Sequence, residues 1–173
     1  MREHEYETEI DTRLEGKLGF DRVRTFVADR CSTEYAVTRV TEERFSNDPK
    51  VIRERLALTD EMRLIVMFEE NFPTNGYIDC LDFLKPLEKT GYTIDILSLG
   101  KLRTMVETVR KLTNFFMSIK DGVYPNLKRM SAPVLSFPEV QRRIDQILDK
   151  FGDVKDTASD KLLEIRRAIK TKE

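Results

Sequence analysis

A chain of 173 residues with 40% apolar and 35% charged side chains has room for one domain with a core, and the balance is that of a soluble, strongly helical protein rather than a disordered one. No apolar run approaches the ~20 residues of a membrane span. The acidic start MREHEYETEIDTRLEG also lacks the apolar stretch of a signal peptide, so a cytoplasmic protein without membrane contact is expected. A net charge of −1 conceals an asymmetry. Residues 1–100 hold 14 Lys and Arg against 21 Asp and Glu, residues 101–143 hold 9 against 3, and the remaining 30 residues hold 7 of each. A basic middle of this kind can follow a phosphate backbone, or face the acidic half of its own chain.

In chain order, residues 1–16 read as a flexible acidic arm, with glutamates at alternate positions from Glu3 to Glu9. Phe20, Val23, Phe26 and Val27 then recur at helical spacing. Ser32 is the expected cap of a helix whose Tyr35, Val37 and Val40 point inward. Ser46-Asn47-Asp48-Pro49 is a helix-start signal, a capping side chain followed by proline at the first position. The apolar pattern from Val51 to Phe68 sustains a helix of about 20 residues, which Phe72-Pro73-Thr74-Asn75-Gly76 breaks. A short helix from Ile78 to Leu84 should stop at Pro86. Asp95 or Ser98 can cap a second long helix carrying Leu99 to Ile119, which Asp121-Gly122 closes. Tyr124-Pro125 opens a brief turn of helix, and Phe137-Pro138 opens the helix that holds Ile144, Ile147 and Leu148.

A tight polar turn around Phe151-Gly152 should reverse the chain as a small β-hairpin near residues 149–156. Ser159 then opens a last helix with Leu162, Ile165 and Ile169 on one face. No Gly, Asn or Pro closes that helix before Glu173, so the expectation is the front piece of a longer protein. The predicted fold is all-α: a multi-helix array with that one hairpin, a helical core over 17–158, and the start of a truncated helix over 159–173.

Chemistry is scarce. Two cysteines, Cys31 and Cys80, and one histidine, His4, cannot make a zinc site or a disulfide framework, and both cysteines are expected as buried free thiols. Gly16-Lys17 and Gly100-Lys101 are not P-loops, because Asp11 and Asp95 stand where the first glycine belongs and leucine follows each lysine. Glu69-Glu70, Asp79 with Asp82, and Asp145 with Asp149 are expected on solvated faces. No nucleophile has a base beside it, and no catalytic residue, metal ligand or cofactor-binding residue is predicted in this chain. The candidate phosphate contacts are Lys128, Arg129, Arg142, Arg143, Arg166, Arg167 and Lys170. No aromatic interleaving points to stacking on single strands.

Three stretches carry a family resemblance. Lys17-Leu18-Gly19-Phe20-Asp21-Arg22-Val23-Arg24 resembles the opening of the type-2 bacterial MutS proteins, the branch linked to an Smr nuclease domain. Ile144-Asp145-Gln146-Ile147-Leu148-Asp149, the Gly152 turn, Lys155-Asp156-Thr157-Ala158-Ser159 and Ile165-Arg166-Arg167 resemble their I-D-x-I-L-D…D-x-A-S…I-R-R signature. Asp48 to Leu64 resembles a helix of the MutS core.

The resemblance covers nearly everything from residue 17 onward and implies a MutS core and lever base. It also implies continuation into a lever helix, a clamp, a dimerising ATPase that uses ATP and Mg, and an Smr endonuclease domain. Such proteins bind branched or structured DNA, are related to mismatch-repair proteins and suppress recombination; some act on ribosomes. None of their ATPase or nuclease motifs lies in these residues. A helical module that docks on a partner or the ribosome is the alternative, and an independent enzyme is disfavoured by the lack of a site.

Overall fold

The computed structural model describes residues 13–44 and 46–171. The first twelve residues of the expected arm, with His4 and the alternating glutamates, lie outside them. Residues 13–16, its end, are helical. The chain divides into two compact units, residues 1–45 and 46–173.

In the first unit a helical stretch over 13–18 gives way at Gly19, whose φ of 74° only glycine adopts without cost. Helix α1 (Phe20–Ala28) and helix α2 (Glu34–Glu42) follow and lie against each other. Thr33, not Ser32, caps α2, its hydroxyl accepting from Ala36 N at 3.1 Å. Arg24 ties the unit together. Its guanidinium pairs with the buried Glu15, donates to Glu43 O at 3.1 Å, and lies 5.0 Å from the Phe20 ring centre. No residue of α1 or α2 is buried.

The second unit is built on two long helices. Helix α3 (Pro49–Phe68) starts as the sequence predicts, with Lys50 N donating to Asp48 Oδ1 at 2.7 Å and Pro49 in the first turn. Helix α4 (Leu81–Leu84) is shorter than expected. Pro86 does not simply end it but sits in the first turn of a 3-10 turn over Lys85–Glu88, where its missing N–H costs no hydrogen bond. Helix α5 (Ile96–Ser118) is capped by Asp95, whose Oδ1 accepts from Ser98 N at 2.9 Å. The loop before it passes close to α5. Gly76 has a φ of +84°, and a Cβ there would sit 2.3 Å from Thr108 Oγ1. Helices α6 (Pro125–Ser131), α7 (Pro138–Ile147) and α8 (Asp160–Lys170) complete the unit.

The core lies where α3, α5 and α6 converge. Ile65, Phe115, Phe116, Tyr124 and Leu127 are buried together, with Leu58, Met62 and Leu112 against them. Phe72, Phe115 and Phe116 meet edge to face, with ring centres 5.2 to 6.4 Å apart, the arrangement that suits their quadrupoles. Helix α7 packs on α5 and buries Ile144.

The predicted β-hairpin near 149–156 does not form. The described residues contain no strand, only an isolated antiparallel bridge between Leu148 and Val154. The reason is local. On the incoming side Leu148 N is still bonded to Ile144 O of α7, and on the outgoing side Ala158 N already turns back to Lys155 O. One residue pair is left between helix and turn. The bend is closed by Asp149, whose Oδ1 accepts from Phe151 N at 2.8 Å and Asp153 N at 2.9 Å, and by Gly152 at φ 92°.

Candidate nucleic-acid interface

The seven candidate cations fall on the last three helices, and most are engaged within the chain. Lys128, on α6, places Nζ 2.6 Å from Ile119 O and 2.6 Å from Asp121 Oδ1, so it holds the carbonyl end of α5. Its ammonium keeps the Asp121 carboxyl below the usual carboxylate range. Arg129 reaches across to Glu54 of α3 at 3.2 Å. Arg142 forms a forked pair with Glu139 one turn earlier, at 2.7 and 3.0 Å, which depresses the Glu139 pKa. Arg143 and Arg167 are exposed and have no ion-pair partner among the described residues. Arg166 and Lys170, four residues apart on α8, converge on Asp156.

Other basic residues of the middle region and the bend are engaged as well. Arg103 of α5 spans the bend after α7: Nη1 donates to Asp149 O at 2.7 Å, and Nε lies 2.7 Å from Asp145 Oδ1, an ion pair without hydrogen-bond alignment. Lys155 Nζ donates to Asp145 O at 2.6 Å, while Arg110 and Lys111 face Glu107 on their own helix. Six of the nine cations of residues 101–143 are thus in ion pairs within the chain. Within the candidate set, only the α8 pair shares a single partner.

Several carboxylates expected on solvated faces hold structure. Asp145 and Asp149 fix the bend, and the Asp153, Phe151 and Gly152 amides hold the Asp149 carboxyl low. Glu69 accepts from the buried Tyr124 hydroxyl at 3.0 Å, and burial, with that carboxylate beside it, pushes the phenol's pKa up. Glu61 carries no sequence signal at all. It is buried in the middle of α3 and accepts from Asn126 N at 3.1 Å, Asn126 Nδ2 at 2.7 Å and Leu127 N at 2.8 Å. A carboxylate from one helix thus caps the amides of another. Pro125 announces that α6 starts there; nothing announces that residue 61 will cap it.

Cys80 is buried and its thiol pKa is raised by burial, whereas Cys31 is only half-buried; both are free. Among the described residues no three His, Cys, Asp or Glu side chains gather as metal ligands, and no helix is long and apolar enough to cross a membrane. In the first unit, Phe20, Val23, Val27 and Val40 line a cavity of about 330 Å³ rimmed by Arg24, Arg39 and Glu43.

No protein-family model matches the chain. Curated proteins do. The chain is 26% identical to Endonuclease MutS2 of Listeria innocua serovar 6a over 166 residues, which is 95% of this chain and 21% of that protein. Endonuclease MutS2 of Geobacillus sp. strain WCH70 matches with the same identity and coverage. That of Geobacillus thermodenitrificans is 25% identical over 158 residues, 90% of this chain and 20% of the relative. The chain spans about a fifth of the length of the curated relatives it matches, and the similarities support a relation to the MutS2 proteins.

Proposed function

We propose that this chain is the helical core and lever base of a MutS-type DNA-binding ATPase, a rigid body that transmits nucleotide state to DNA-gripping arms. The observation that carries the reading is the similarity to MutS2 endonucleases along 95% of the chain. The helical architecture agrees with it. Two helices of 20 and 23 residues with a common aromatic core make a body that can move as a unit, which a part that passes on rotation requires. Ser159 caps α8 directly after the braced bend, so the helix leaves the body from a defined corner. On this reading ATP and Mg, the Smr endonuclease activity, homodimerisation and any suppression of recombination reside in the rest of the protein. The chain itself supplies position rather than chemistry.

The second reading, a partner- or ribosome-docking module without direct DNA contact, is favoured by one specific observation. Five of the seven candidate cations are already in intramolecular ion pairs, which weakens the case for a broad phosphate-binding face. Two measurements test these readings. A P-loop and a continuing helix in the coding sequence past Glu173 support the first; a reading frame that closes there overturns it. A salt series of binding to a four-way DNA junction, duplex DNA and ribosomes then separates DNA from the ribosome as the target. Binding to ribosomes alone transfers the conclusion to the docking module.

A further inference from the structure

We infer that Arg166 and Lys170 form a phosphate-binding subsite that Asp156 occupies in the free protein, so that a polyanion binding there releases helix α8. Helix α8 is held unlike any other long helix of its unit. None of its residues is buried, and among the described residues it packs extensively on no other helix. Leu162 and Leu163 are partly buried, and the ion pairs of the helix converge on one carboxylate. Asp156 lies in the short loop before the Ser159 cap and runs alongside the later turns of the helix. Its Oδ1 pairs with Arg166, and its Oδ2 lies 3.9 Å from Lys170 Nζ. Positions 166 and 170 are one turn apart on one face, so both oxygens are used by cations aimed at a single point.

Three features make this arrangement exchangeable. The Asp156 and Arg166 side chains are 43% and 42% exposed and Lys170 is 75% exposed, so the pairs are screened by salt and individually weak. Two cations share one negative charge, which leaves the cluster positive. Arg167, exposed and without an ion-pair partner among the described residues, adjoins it on the helix surface. A phosphate presents the acceptor geometry that a guanidinium prefers and carries no tether to lose, and several phosphates in a row engage the three cations together. The carboxylate is therefore a placeholder. While it is seated, α8 leaves the bend in one direction; when a phosphate backbone takes its cations, that restraint is gone. The identification of the anion as DNA rests on the function proposed above, whereas the exchange itself does not.

The test uses the whole chain with Cys31→Ala and Cys80→Ala and spin labels at Gln146→Cys on α7 and Ala168→Cys on α8. Pulsed electron–electron distance measurements should give a narrow distribution at low salt. Short-chain polyphosphate should broaden it, and Asp156→Asn should be broad without any anion while binding polyphosphate roughly three- to fivefold more tightly. Asp156→Glu should restore the narrow distribution. Circular dichroism checks that helix content is equal throughout. A distribution that polyphosphate leaves unchanged in the wild-type sequence overturns the inference, as does an Asp156→Asn variant as narrow as the parent. A four-way DNA junction serves as the parallel probe. Broadening by polyphosphate but not by the junction supports the exchange site and overturns DNA as its ligand.

Discussion

Two helices of the second unit are each held by a carboxylate, and they are held in opposite ways. Helix α6 is capped by Glu61, a buried side chain that satisfies three N–H groups at once. Helix α8 is held by Asp156, a half-exposed side chain that meets two cations near the surface. The chemistry is the same and the surroundings differ. In the core, losing the carboxylate strands the buried Leu127 amide and two partly buried donors of Asn126, so the cost includes the desolvation of those groups. At the surface, water and salt replace the partner at little cost. Burial decides whether a carboxylate is a permanent joint or a releasable one.

The comparison breaks most visibly at Glu61. Glu61→Ala should destabilise the second unit by about 3 kcal/mol, since it leaves two backbone amides, the buried one of Leu127 and the partly buried one of Asn126, without acceptors. A thermal melt should fall by roughly 6–12 °C. A variant that melts within 2 °C of the parent, a margin of about half a kcal/mol, would show that water reaches the α6 start and that the two joints do not differ. Next in size is Gly152→Ala, which forces a side chain into a φ of 92° and should cost about 1–2 kcal/mol with the core unchanged. Urea unfolding with an unaltered m-value is the check.

Asp156→Asn should cost under ~1 kcal/mol in the same urea experiment, even though it is expected to free α8. A loss as large as that of Glu61→Ala would make both joints structural.

The smallest effect concerns pH. The Asp149 carboxyl is held below its ordinary range by the amide of Asp153 and then those of Phe151 and Gly152. Its contribution is therefore complete above the unfolded carboxylate pKa of about 4 and fades as pH falls through the lower folded value. Asp149→Asn keeps an acceptor oxygen but not the charge. Its stability should vary less with pH in that acidic window, which melts recorded from neutral pH downward would reveal.

The helical framework was legible because its signals are local. Asp48-Pro49, Asp95 and Ser159 each sit within three residues of the amide they serve, so spacing alone exposes them. Ser32 and Thr33 were indistinguishable by that rule, and only the backbone's extended conformation at Thr33 selects it. The helix to Ile147 was foreseen; the hairpin expectation failed because a glycine turn cannot report that the outgoing chain turns back at Lys155, leaving one bridge between Leu148 and Val154. The candidate site was least legible. A row of arginines reads as a phosphate face until Glu54, Asp121, Glu139 and Asp156 are seen beside it. Three of these partners are distant in sequence or lie in loops whose course only the fold sets. Glu61 was hidden for the same reason, since its donors are 65 and 66 residues away.

Arg103 gives the bend a mechanical character. A turn of five residues is ordinarily the most compliant point of a chain, and a torque delivered there is absorbed by rotation about its own bonds. Here the guanidinium pins the Asp149 carbonyl and flanks the Asp145 carboxylate from the second turn of α5, a helix about 34 Å long at 1.5 Å per residue. The hinge is thereby stiffened against its neighbour. Strain arriving at residues 149–153 is shared with α5 over its length, and the yielding element is displaced outward to the loop that carries Asp156.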